Sequence, residues 1–179
     1  MKNKYDENYN GRLAETVTEI FFKKHNYIVS KYGVENNIHF EFIKNKISDN
    51  QDTKEVLSKI MTMPDFVIMD LNSQNEINQV YLVEVKYRTF KSYNEFKFSL
   101  EKYGDIYKQA EKYRELWDGK IHIFLISNID NKITTYYDSA NRIVDQKFIR
   151  RLDKNNHIWI DKTILQEYNT YSERIFKNR

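Results

Sequence analysis

Two carboxylates and a lysine at adjoining strand ends carry the chemistry that this chain suggests. Pro64-Asp65 opens the run Asp65-Phe66-Val67-Ile68-Met69-Asp70, and Glu84-Val85-Lys86 ends the run that begins at Val80. A hard divalent cation takes oxygen ligands, and magnesium is usually held by one or two carboxylates together with water and substrate phosphate. Asp65 and Glu84 supply such carboxylates. Lys86 is then placed to orient a nucleophile or to offset charge on a pentavalent phosphorus. The same trio also suits a structural ion pair between strand ends.

Strands must position these groups, and both runs are rich in strand formers. Side chains alternate along a strand, so Leu82, Glu84 and Lys86 share one face while Tyr81, Val83 and Val85 share the other. Charges seldom finish so apolar a strand unless they are paired, hydrated at a cleft or bound to a metal. An antiparallel hairpin closing near Asp70 and Val80, across a polar loop 71–79, sets Asp65 opposite Glu84 or Val85.

Pro64-Asp65 followed by Glu84-x-Lys86 resembles the signature of the PD-(D/E)xK nuclease superfamily. Two flanking features extend the resemblance over roughly 11–127. Gly11-Arg12-Leu13-Ala14-Glu15 opens a predicted helix over 11–25, where the family often carries a glutamate, and the Gly11-x-x-x-Glu15 spacing resembles archaeal-type Holliday junction resolvases. Gln109 and Tyr113 lie on a predicted helix over 101–117 and look like the Q-x-x-x-Y element of RecB-like members. The resemblance implies a restriction-endonuclease-like α/β core, a central mixed sheet flanked by helices in the order αβββαβ. It also implies a Mg2+ cofactor for which Mn2+ can substitute, metal ligands Asp65, Glu84, Val85 and Glu15, and catalytic roles for Asp65, Glu84, Lys86 and Gln109.

Periodicity leaves two of these positions open. Glu15 sits on the far side of its helix from the Leu13, Val17, Ile20 and Phe21 stripe, as a solvated glutamate would. Gln109 borders the apolar stripe of its own helix, beside Tyr113, so it suits either a cleft or a plain helix surface.

DNA is the expected partner, although a net charge of +3 is only mildly basic. Tyr87 to Tyr93, read as a loop leaving the second strand, offers Arg88, Lys91 and Tyr93 for phosphate and unpaired bases, with Tyr113 as a further contact. Lys147, Arg150, Arg151 and Lys154 form a second basic cluster, which also reads as a solvated face. The four histidines show no ligand spacing.

The 179 residues suit one domain, with C-terminal β/α additions over 128–179. Absence of cysteine excludes disulfides and thiolate metal sites. No run approaches transmembrane length and residues 1–10 are polar, which implies a cytoplasmic protein with no membrane partner. Periodicity predicts further strands at 27–30, 38–43, 121–127, 133–137 and 157–160, and helices over 52–61 and 162–176. The strand at 121–127 reads as fully buried and parallel to a neighbour, since a helix precedes it.

The expected activity is metal-dependent hydrolysis of DNA, as an endonuclease of restriction, repair, recombination or phage-defence type, for which a homodimer would suit cutting two strands. A nuclease acting on RNA or branched DNA, or a nucleic-acid-binding or interaction module that keeps the fold without cutting, stands as the alternative.

Overall fold

The computed structural model describes residues 4–32, 58–60, 62–156 and 158–177. Five strands form one mixed sheet in sequence order: β1 (Ile28–Lys31), β2 (Phe66–Leu71), β3 (Ile77–Phe90), β4 (Ile121–Ile129) and β5 (Lys132–Ser139). Neighbours run antiparallel except β3 and β4, which are parallel. A parallel step needs a crossover, and it is made by α2 (Tyr93–Ser99) and α3 (Asp105–Trp117).

Helices cover both faces. On one, α1 (Lys4–Lys24) and α5 (Lys162–Phe176) bring Ala14, Val17, Phe21, Phe22, Tyr168 and Phe176 onto Ile68, Val83, Val85, Phe124 and Ile126. On the other, α2, α3 and α4 (Ala140–Gln146) pack Phe96, Ile106, Ala110, Tyr113 and Ile143 against Ile121, Ile123 and Leu125. Strand β4 alternates between the two cores and is buried on both faces, as its continuous apolar run predicts. Its hairpin to β5 turns through Asp130 and Asn131, both at positive φ, the conformation that a tight hairpin turn selects.

The β2–β3 hairpin is organised by one asparagine. Asn72 Oδ1 accepts from the backbone N–H groups of Gln74 and Glu76, both at 2.9 Å, and Asn75 supplies the positive φ. The resulting register pairs Phe66 with Val83 and Ile68 with Tyr81.

Several expectations are corrected. Strand β3 continues through Phe90, so Tyr87 to Phe90 are ladder residues paired with β4 and not a loop. The helix expected over 101–117 begins only at Asp105, and α2 precedes it as a separate element. Ser92 starts α2 by accepting from the Glu95 N–H at 3.3 Å while the Glu95 carboxylate takes the Lys91 N–H, a local version of a capping box. Helix α1 begins at Lys4, before Gly11, and Ile20 points outward while Ala14 and Phe22 take the inner face. Residues 158–160 are not a strand; they are held instead by side chains, the Trp159 N–H donating to the Tyr27 hydroxyl at 3.1 Å. The strand expected at 38–43 lies outside the described residues, as does most of the helix over 52–61, of which residues 58–60 are helical.

Candidate active site

Asp65 stands just before β2, where the register, extended by one residue, sets it opposite Glu84. Residues directly opposite in an antiparallel pair share a face. Both carboxylates therefore lie on the face that α3 covers, on the side away from α1. Asp65 Oδ2 accepts the Val85 N–H at 2.7 Å, a bond that ties the aspartate to the neighbouring strand in place of a backbone partner. The next pair in register would be Pro64 with Val85, and proline has no N–H to donate. Both backbone groups of a strand residue face the same neighbour, so the Val85 carbonyl is turned toward β2 at a point where the ladder offers it no donor.

Glu84 is 5 % exposed. A carboxylate buried to that degree needs partners, and two are present. Lys86, two residues on along the same face, forms an ion pair with it. From the facing helix the Tyr113 hydroxyl hydrogen-bonds to it, and Tyr113 in turn accepts from Gln109 Nε2 at 3.2 Å. Burial first and the Glu84 charge second push the Tyr113 phenol well above its ordinary range, so it remains a donor. Helix α3 supplies both residues because Gln109 and Tyr113 are one turn apart.

Asp65 is raised from an ordinary 3.8 to about 8. Burial is the largest cause, followed by the Glu84 charge, while Lys86 and the Val85 N–H act in the opposite direction. Two carboxylates this close resist being charged together, and a cation between them would relieve that conflict. Among the described residues no group of three or more histidine or acidic side chains gathers at ligand distance. A cation placed here would meet two carboxylates and a carbonyl, a set that fits magnesium with retained waters better than an all-protein cage.

The remaining predicted residues are placed less centrally. Glu15 is ion-paired to Lys31 of β1 at 3.0 Å, and its charge acts on Asp65 as the weakest of the influences there. It lies near the carboxylate pair without joining it. Tyr113 is corrected from nucleic-acid contact to buried partner of Glu84, being 4 % exposed. Arg88 follows Lys86 on the same face but is held by Asp105 at the start of α3, at 3.0 Å. Lys91 and Tyr93 sit at the entrance to α2, with exposed side chains.

In the second basic cluster Lys154 is exposed and the other three members have acidic partners. Arg150 is engaged by the fully buried Asp138, Arg151 by Asp153 and Lys147 by Glu101. Two partners escaped the sequence reading: Lys31, which holds Glu15 from a different element, and Thr62, whose Oγ1 accepts from Trp117 Nε1 at 3.3 Å and ties the approach to Pro64 to the end of α3. The Gln109 to Tyr113 spacing was visible, but the strand residue it serves depends on how α3 lies on the sheet.

Comparisons with family models, with curated proteins and with solved structures return no match.

Proposed function

We propose that the protein is a divalent-metal-dependent nuclease of the PD-(D/E)xK type, with a restriction-endonuclease-like core, that hydrolyses phosphodiester bonds in DNA. The observation that carries this reading is the joining of Asp65 to β3 through the Val85 N–H, which brings two carboxylates, a turned backbone carbonyl and Lys86 to one strand crossing.

Asp65, Glu84 and the Val85 carbonyl would hold magnesium, or manganese in its place. The ion would supply Lewis-acid charge at the phosphate and lower the pKa of a bound water. Hydrolysis forms a bond from the water oxygen to phosphorus and breaks the bond to a sugar oxygen, which leaves with a proton. The chain's own part is to manage charge around that exchange. Lys86, paired with Glu84, would turn to the phosphate once a cation shares that carboxylate, and would offset negative charge as phosphorus becomes pentavalent. Tyr113 fixes one Glu84 oxygen from the helix side, and Gln109 fixes Tyr113, so the carboxylate presents a set orientation to the cleft.

The test is cleavage of supercoiled plasmid, linear duplex and single-stranded DNA by wild type and Lys86→Ala, with magnesium, manganese or EDTA. Wild type should cut with either metal and not with EDTA, and the variant should be about 10²–10³-fold slower. Nicking of the closed circle would mark an endonuclease. Cleavage that persists unchanged in Lys86→Ala, or wild type inert on every one of these substrates, overturns the reading.

A further inference from the structure

We propose that α2 and the turn after it form a stacking platform for an unpaired strand of nucleic acid, which makes the substrate class one with single-stranded character. The proposal rests on the nuclease reading only for its choice of nucleic acid; the surface itself is argued independently.

Within 93–103 three aromatic side chains stand in solvent: Tyr93 is 52 % exposed, Phe98 63 % and Tyr103 73 %, the last being the most exposed large hydrophobic side chain among the described residues. Helix geometry explains why Phe98 is outside. It lies two positions, about 200°, from Phe96, which is buried on the core and stacked on Tyr136. The fold therefore gains nothing from a ring at 98. Gly104 keeps the backbone that follows Tyr103 against the end of α2, because a side chain there would overlap the backbone carbonyls of Phe98 and Ser99. A single exposed ring needs no explanation. Three within one short segment do.

The charges select the occupant. Lys91, Lys97 and Lys102 alternate with the rings, all three side chains are exposed, and none has a carboxylate partner among the described residues. Lys97 lies over the Tyr93 ring at 5.1 Å. The two glutamates of the segment are engaged, Glu95 with the Lys91 N–H and Glu101 with Lys147 at 3.2 Å. The side-chain charges left without a partner on this surface are thus positive and stand among aromatic rings, the combination that binds bases by their faces and the backbone by its phosphates, whatever the sequence. A protein partner with an apolar face would leave these lysines opposite nothing.

Position fits as well. Glu84, Lys86, Arg88 and Phe90 follow one another along one face of β3, which passes through Lys91 and Ser92 into α2. From Lys86 to Phe90 the strand rises about 13 Å, so a strand lying across the carboxylate pair reaches the platform within a few nucleotides.

Fluorescence anisotropy in EDTA, where no cutting occurs, tests the proposal with a labelled oligo(dT) about twenty nucleotides long and a duplex of equal length. Wild type should bind the oligo(dT) more tightly than the duplex. Phe98→Ala with Tyr103→Ala should weaken oligo(dT) binding at least about fivefold, with unchanged circular dichroism and unfolding midpoint. Phe98→Tyr with Tyr103→Phe, which keeps both ring faces, should retain it. Unchanged affinity in the alanine variant, or a wild type that binds duplex as well as single strand, overturns the platform. So does self-association of the wild type that the alanine variant abolishes while oligo(dT) binding stays the same, since the surface would then belong to a second copy. The two readings fail separately: oligo(dT) binding lost in the alanine variant without any cleavage by wild type sinks the nuclease and keeps the platform, whereas metal-dependent cleavage with no single-strand preference does the reverse.

Discussion

Asp65 is where folding and chemistry conflict at the scale of one residue. Its side chain is needed to take the Val85 N–H, yet burial beside Glu84 makes its charge costly, raising it from 3.8 to about 8. A proton is therefore kept by the folded protein over a range in which the unfolded chain has already lost it. Folding stability must then fall as pH rises from about 4 to about 8, by up to about 1.4 kcal/mol per pH unit for this group, and level off above. Asparagine keeps the acceptor and removes the charge. Asp65→Asn should accordingly be more stable than wild type in EDTA at about pH 8, by a few kcal/mol, with the difference narrowing at about pH 5. Urea unfolding of both proteins at the two pH values decides it; parallel profiles would mean that Asp65 carries no such charge conflict. A cation that lets Asp65 ionise removes the same conflict, which links metal affinity to pH in the proposed enzyme.

Among the elements, the join of β5 to α4 depends on one buried charge. Asp138 accepts from Arg150 Nε at 3.1 Å, from Arg150 Nη2 at 3.2 Å and from the Arg150 and Ser139 backbone N–H groups, with Arg142 Nε at 3.4 Å. Removing one side of a buried pair strands the other, so Asp138→Ala should destabilise by about 3–5 kcal/mol; a loss below about 1 kcal/mol in urea unfolding would show that Arg150 finds solvent instead. This clamp also marks what sequence could convey. Arg150 read as part of a surface cluster because its acid, Asp138, lies on another element, and charge pairing between elements leaves no local pattern, whereas Arg151 pairs with Asp153 only two residues on. Local features were legible: the alternation that puts Glu84 and Lys86 on one face, the apolar run of β4, the spacing of Gln109 and Tyr113. The Ser92-x-x-Glu95 start of α2 was equally local, but the basic and aromatic residues around it read as a loop, since β3 runs on past Tyr87 only by pairing with β4. The buried role of Tyr113 needed the docking of α3 on the sheet.

At the scale of the whole molecule, a net charge of +3 understates how the positive charge is distributed. Ion pairs engage Arg88, Arg114, Arg142, Lys147, Arg150 and Arg151 within the fold, whereas Lys91, Lys97 and Lys102 are left to solvent on the α2 surface. If these three are the phosphate contacts, about three counterions leave a single strand on binding. The slope of log affinity against log salt is then near −2, about −0.7 for each contact. Affinity for oligo(dT) should drop about twentyfold between roughly 50 and 200 mM salt, leaving a remainder that stacking on Phe98 and Tyr103 supplies and that salt does not screen. Lys97→Ala or Lys102→Ala should each flatten the slope by about 0.7. A slope twice as steep, or one that neither substitution changes, would place the nucleic acid on a different surface and separate the α2 aromatics from its path.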